Sequence, residues 1–188
     1  MNETRTKPAI SIAVAGSGRK VGKTSFICGL IKATPEIHWT AVKITSHRHD
    51  KSEPVWEESA AGQGTDTARY LAAGARRALL VTAPAEHALP LAEIEAALGI
   101  RESVIFESNR IVDARTHDLC LAVIGAQDTE RKPSFAAILE RANALIGTSH
   151  TMQLSQLHER PFFVMQDMND LSKEMTIWLR QRLAIGRS

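Results

Sequence analysis

Residues 10–33 read ISIAVAGSGRKVGKTSFICGLIKA, and three textures follow one another within them. Ile10 to Ala15 is a short apolar run with β-branched members, the pattern of a strand buried on both faces of a parallel sheet. Gly16 to Thr24, GSGRKVGKT, is rich in glycine and cations. Phe26, Ile27, Leu30 and Ile31 then recur at helical spacing and Pro35 stops the pattern, so a helix is expected from about Gly22 to Ala33. A strand, a glycine-rich turn and a helix form the context in which GxxxxGK followed by Ser or Thr makes a phosphate-binding loop, the P-loop or Walker A motif.

The chemistry of that loop accounts for its residue types. Backbone N–H groups of Gly18 to Gly22 would converge on phosphate oxygens, and the helix beginning near Gly22 offers unsatisfied amides and a positive dipole end. Lys23 would place a point charge between the β- and γ-phosphates. The Thr24 hydroxyl suits a Mg2+ ion bridging the same phosphates, and Ser25 would add an α-phosphate contact. The cofactors expected are therefore Mg2+ and a nucleoside triphosphate, GTP or ATP. The binding loop would comprise Gly16, Ser17, Gly18, Arg19, Lys20, Val21, Gly22, Lys23, Thr24 and Ser25. Counting back from Gly22, the first glycine slot of the strict pattern holds Ser17, with glycines at 16 and 18, so a slightly reshaped turn is expected. Arg19 and Lys20 add cations that either neutralise phosphate or face solvent.

Beyond the loop, strands and helices alternate. Thr40 to Thr45 (TAVKIT) reads as a strand, and SHRHDKSEPVWEESAAGQGTD after it lacks a sustained apolar period and reads as a long loop. A loop of that length is either a mobile excursion or a functional lid. Asp66 to Ala73 looks helical with Gly74 as its stop, and Ala78 to Thr82 is a buried strand. Leu91, Ile94 and Leu98 mark a helix ending at Gly99, and Val104 to Phe106 and Leu119 to Ile124 are further strands. A helix over Ser134 to Arg141, short strands at Ala144 to Ile146 and Phe162 to Met165, and a closing amphipathic helix through Leu171, Met175, Trp178, Leu179 and Leu183 complete the order. Asn169 or Asp170 would cap that last helix. The pattern predicts an α/β fold, a doubly wound, mostly parallel sheet with helices on both faces. With 188 residues, no repeat and no linker, one domain over residues 1–188 is expected.

Composition narrows the partners. The chain is 44% hydrophobic and 23% charged, ordinary for a globular protein. A formal net charge of +2 gives no reason to expect nucleic acid or membrane as a partner, although Arg76, Arg77, Arg131 and Lys132 form small basic patches. The polar start MNETRTKP lacks the apolar core of a signal peptide, so a cytoplasmic location is expected. Cys28 and Cys120 each sit within an apolar run, where a thiol behaves as a small buried hydrophobe rather than half of a disulfide.

Magnesium prefers oxygen ligands, and a P-loop needs an acidic group at the end of a neighbouring strand. Glu107 ends the apolar run SVIF, which would set its carboxylate at the carboxyl edge of the sheet where ligands bind in this class. Asp50, Asp66 and Asp113 compete for the role, and Asp66 reads equally well as a helix N-cap. His47 and His49 flank an arginine beside Asp50. The first reading of this stretch is a solvated polar loop; in a strand the two imidazoles would share a face and, with Asp50, could hold a metal or an anionic substrate.

A family resemblance extends beyond the loop. In order, the chain carries VGKTS, then VKITSHRH at the end of the second strand, then DTARYLAAGA, then VIFESN. These features, across roughly residues 10 to 125, resemble the MobB family, the molybdopterin-guanine dinucleotide biosynthesis protein B group of P-loop GTPases. The resemblance implies phosphate binding by Gly18, Gly22, Lys23 and Thr24, and a magnesium-linked role for Glu107. It also implies a substrate-side role for His47, Asp66 and Arg69, with His49 beside them. Members of the family are thought to bind GTP, hydrolyse it slowly and assist attachment of the nucleotide to the molybdenum cofactor. The sequence has ESN where an acidic-glycine pair is common, and no NKxD-type segment that would read guanine, so the base is left open between guanine and adenine.

The leading expectation is thus a GTP-binding protein and slow NTPase, with Lys23 and Glu107 as the catalytic residues and no catalytic base in view. Its partners would be a nucleoside triphosphate, a molybdopterin-pathway protein and, as a homodimer, a second copy of the chain. Two other readings stay open: a small-molecule kinase or ligase with its acceptor near His47 and His49, and a nucleotide-dependent adaptor whose segment Ser46 to Thr65 folds on a partner.

Overall fold

The computed structural model describes residues 9–47, 53–99, 101–125, 133–148 and 159–185. Among them, eight strands form one sheet: β1 (Ser11–Gly16), β2 (Trp39–Thr45), β3 (Val55–Glu57), β4 (Arg77–Thr82), β5 (Ser103–Glu107), β6 (Leu119–Val123), β7 (Ala144–Gly147) and β8 (Phe162–Val164). The spatial order is β3-β4-β2-β5-β1-β6-β7-β8. All pairings are parallel except β3 with β4. Because β1 lies between β5 and β6, the chain must cross over it in passing from one to the other. The carboxyl end of β1 therefore opens where the winding changes direction, the crevice in which open α/β sheets take ligands.

The helices are α1 (Lys23–Ala33), α2 (Asp66–Ala72), α3 (Leu91–Ala97), α4 (Ile111–Ala114), α5 (Pro133–Arg141) and α6 (Lys173–Arg182). Strand alternation divides the apolar residues between two layers. Ile12 and Val14 of β1 point to a core shared with Phe26, Ile27 and Leu30 of α1, Tyr70 of α2, and Met175 and Leu179 of α6. Ala13 and Ala15 point to the other face, where Ile94 of α3, Ile111 of α4 and Ile138 and Leu139 of α5 close the second core. The doubly wound, mostly parallel sheet expected from the sequence is the architecture observed.

The local differences have physical causes. The segment following β2, read as a loop without structure, contains β3, whose Trp56 pairs with Leu80 at the antiparallel edge of the sheet. Three residues are too few to show a period of two against their polar neighbours. The four-residue helix α4 spans about one turn, too short to show a helical period. The cap of α2 is Thr65, which accepts the Ala68 N–H, so Asp66 is not the cap and lies instead in the first turn. The last helix is capped by Ser172, which accepts the Met175 N–H at 3.2 Å, and not by Asn169 or Asp170. Asp167 instead accepts the Asn169 backbone N–H at 2.8 Å and its side-chain amide at 3.0 Å, turning the chain before the helix can begin.

One fully buried aromatic fixes the start of β2 against α1. Trp39 donates its indole N–H to the Thr34 hydroxyl at 2.8 Å, and Thr34 donates in turn to the Leu30 carbonyl at 2.8 Å. Cys28 and Cys120 are both buried free thiols. Burial pushes the Cys120 thiol up to about 11. Among the described residues no helix is long and apolar enough to cross a membrane.

Helix α1 meets the turn before α6 at Gly29. A Cβ there would lie 2.7 Å from Leu171 Cδ1 and 3.0 Å from the backbone carbon of Asn169. Alanine ordinarily stabilises a helix interior over glycine by about 1 kcal/mol, but backbone cannot retreat as a side-chain tip can. Gly29→Ala is therefore expected to destabilise the protein by about 1–3 kcal/mol, measured as a lowered midpoint in urea unfolding.

Candidate functional site

The loop between β1 and α1 is held from both flanks. Ser17, in the unusual slot, has its N–H on the Val123 carbonyl at 2.9 Å, and its hydroxyl accepts the Gly125 N–H at 2.9 Å. A glycine could make only the first of these bonds, so the serine fastens the loop to the exit of β6. On the other flank Asn109, two residues past β5, accepts the Gly16 N–H at 2.9 Å and donates to the Gly16 carbonyl at 2.8 Å. Lys20 carries a φ of 60° and Gly22 a φ of 99°. The left-handed region costs a residue with a Cβ about 1 kcal/mol, and glycine occupies the second position at no such cost.

Gly22 caps α1 without a side-chain hydrogen bond, and the first turn carries no acidic residue. The turn thus brings no negative side chain of its own to the positive end of its dipole, which suits an anion at the loop. Lys23 folds back over the loop, its ammonium 2.6 Å from the Gly18 carbonyl.

Glu107 ends β5 at the same edge and is 3% exposed. The Thr24 hydroxyl donates to its Oε2 at 2.8 Å, bringing together the two residues that the sequence suggests as metal ligands. Lys43 and Tyr70 contact the same carboxylate: the Lys43 ammonium on Oε1 and the Tyr70 hydroxyl, fully buried, on Oε2. Lys43 also reaches Asp66 Oδ2 at 3.0 Å. Burial alone would lower the Lys43 pKa, but the charge and hydrogen bond of Glu107, with Asp66, outweigh it and hold the ammonium above its ordinary value. Burial, reinforced by the Glu107 charge, drives the Tyr70 phenol well above its ordinary value, so it serves the carboxylate as a neutral donor.

Helix α2 supplies three of the polar groups here because Asp66, Arg69 and Tyr70, three and four residues apart, share one face. Arg69 donates to the Ser25 hydroxyl at 2.9 Å and lies 3.8 Å from Asp66. The structure thus joins Asp66 and Arg69 to the loop. His47 stands at the exposed exit of β2 in contact with the Arg19 guanidinium. His49 and Asp50 lie outside the described residues.

Lys43, Tyr70 and Asn109 were missed by the reading of the sequence. Lys43 is the one charge in TAVKIT, an interruption that an all-apolar buried strand would not carry without a partner. Tyr70 follows Asp66 at helical spacing, while Asn109 left no signal beyond its nearness to Glu107.

Thr24 and Glu107 offer hard oxygen donors, which suit Mg2+; this ion commonly takes one or two protein carboxylates and leaves its other positions to water and phosphate. Among the described residues no group of three or more His, Cys, Asp or Glu side chains is placed to hold a metal by itself. A separate cavity of about 450 Å3 lies at the opposite, amino edge of β6 and β7. Around it Asp113 pairs with Arg141 at 3.0 Å and Arg115 with Glu95 at 2.6 Å, and Asp118 accepts the Ser11 N–H at 2.7 Å.

Among solved structures, the crystal structure of LpxK from Aquifex aeolicus in complex with ATP matches with a TM-score of 0.52 at 17% identity. The match covers 84% of this chain and 54% of that one. The chain has a P-loop NTPase fold. It spans about half the length of LpxK, so the likeness is one of architecture. No protein-family model matches the chain, and no curated protein matches it significantly.

The Asn109 clasp is testable. Asn109→Ala removes both bonds to Gly16, and the expected loss is about 1–2 kcal/mol of stability, read from urea unfolding, with the far-UV circular dichroism spectrum unchanged.

Proposed function

We propose that this chain binds a nucleoside triphosphate with Mg2+ and turns it over slowly, in the manner of the MobB-like GTPases its sequence resembles. The observation that carries the reading is the Thr24 hydroxyl set 2.8 Å from the buried Glu107 carboxylate, in the first turn of a helix that follows a glycine-rich loop and has no acidic residue of its own there. Thr24 and Glu107 would hold the metal, which when bound neutralises charge shared between the β- and γ-phosphates. The loop amides from Gly18 to Gly22 would take the phosphate oxygens, and Lys23 would exchange the Gly18 carbonyl for the γ-phosphate. Ser25, oriented by Arg69, would meet the α-phosphate. These groups stabilise charge as it develops on the transferred phosphoryl group without supplying a proton acceptor, which suits slow turnover.

GTP and a role in molybdenum cofactor assembly follow from the resemblance in VGKTS, VKITSHRH and DTARYLAAGA. A second reading, that the triphosphate is ATP, is favoured by the ATP bound in LpxK.

A competition titration of GTP and ATP, with and without Mg2+, tests the proposal. Lys23→Ala is expected to abolish triphosphate binding while the circular dichroism spectrum stays the same; unchanged affinity would overturn it. Glu107→Gln should weaken the metal-dependent part of binding by about tenfold or more, the scale of one charge-assisted interaction, and leave metal-free binding nearly as it was. If metal dependence is unaltered, another acid holds the ion.

A further inference from the structure

Lys43 and Glu107 face each other in register across the β2–β5 pairing. Both oxygens of the carboxylate already have donors, Oε2 from the hydroxyls of Thr24 and Tyr70 and Oε1 from the Lys43 ammonium. The hydroxyls are neutral, and the ammonium supplies the positive charge that a carboxylate 3% exposed requires. A divalent ion held by Thr24 and Glu107 would put a second cation on that same group. The lysine has somewhere else to go: its flexible stem also reaches Asp66 Oδ2 at 3.0 Å, on a side chain 39% exposed at the head of α2.

We propose that Lys43 is a tethered counter-ion that competes with Mg2+ for Glu107 and is retained by Asp66 when the metal takes the carboxylate. The proposal rests on the P-loop reading above. In the absence of metal, Lys43 gives the Glu107 carboxylate a positive partner while Oε2 stays on the Thr24 hydroxyl, so the acid is in place for a ligand. It also makes Glu107 a poor ligand for a bare ion. The metal can displace the ammonium only with the added attraction of a triphosphate in the loop, so metal and nucleotide load together. Asp66 sets the balance, because the better it holds the lysine, the easier the release of Glu107.

The test uses the full chain and Mn2+ as the probe, followed by electron paramagnetic resonance of the free ion. It is run with and without a non-hydrolysable analogue of the triphosphate that the wild type binds. Lys43→Met should lower the half-saturating Mn2+ concentration about tenfold, the scale of one charge-assisted hydrogen bond removed, and should allow Mn2+ to bind without nucleotide. Asp66→Asn should shift it the other way, by about threefold, a fraction of the same interaction. A role confined to stability would not move the two variants in opposite directions. An unchanged or raised midpoint in Lys43→Met overturns the proposal. If that variant fails to fold, Asp66→Asn decides alone, and an unchanged or lowered midpoint overturns it. A wild type that binds Mn2+ and nucleotide, loses both with Lys23→Ala, and yet shows no shift in either variant removes the counter-ion and leaves the P-loop reading standing. A wild type that binds no nucleotide removes both.

Discussion

A carboxylate almost closed off from water needs a protein donor for each of its oxygens, and the site is arranged around this constraint at Glu107. Its donors come from three separate elements: Thr24 from the helix after the loop, Lys43 from the adjacent strand, Tyr70 from α2. Each is itself fixed by the fold. Lys43 is in register because β2 and β5 pair parallel, Tyr70 is buried in the core beneath the sheet, and Thr24 follows a glycine in the left-handed region. Satisfying one acid therefore ties the phosphate loop to the sheet and to α2.

The same arrangement explains what the sequence disclosed and what it withheld. The P-loop was legible because glycine, lysine and threonine at fixed offsets each answer a local demand of backbone shape or charge. Strands β1, β5 and β6 were legible because burial on both faces leaves short, mostly apolar runs, and β2 because its β-branched residues keep the pattern around one charge. Glu107 was legible because it interrupts such a run at its carboxyl end. Tyr70 and Asn109 act on partners far along the chain, 37 residues away at Glu107 and 93 at Gly16, and no local pattern encodes a contact of that span. Lys43 was present as an anomaly in a buried strand, but its partner was visible only once β2 and β5 were known to be neighbours.

Caps illustrate the limit at shorter range. Thr65 and Asp66 are both good cap residues, as are Asn169, Asp170 and Ser172. Which one caps depends on where the backbone first turns helical. Before α2 that is Asp66 itself, which leaves Thr65, still extended, as the cap; before α6 the Asp167 turn delays it to Lys173, which leaves the cap to Ser172.

The approach of Met168 to Gly22 and of Asn169 and Leu171 to Gly29 bears on how the molecule is made. The P-loop and the start of its helix precede by some 140 residues the groups that lie against them. During synthesis the loop emerges before those groups, and the contacts of α1 with them can form only once the turn before α6 has left the ribosome. The P-loop is therefore written well before the residues that complete its surroundings.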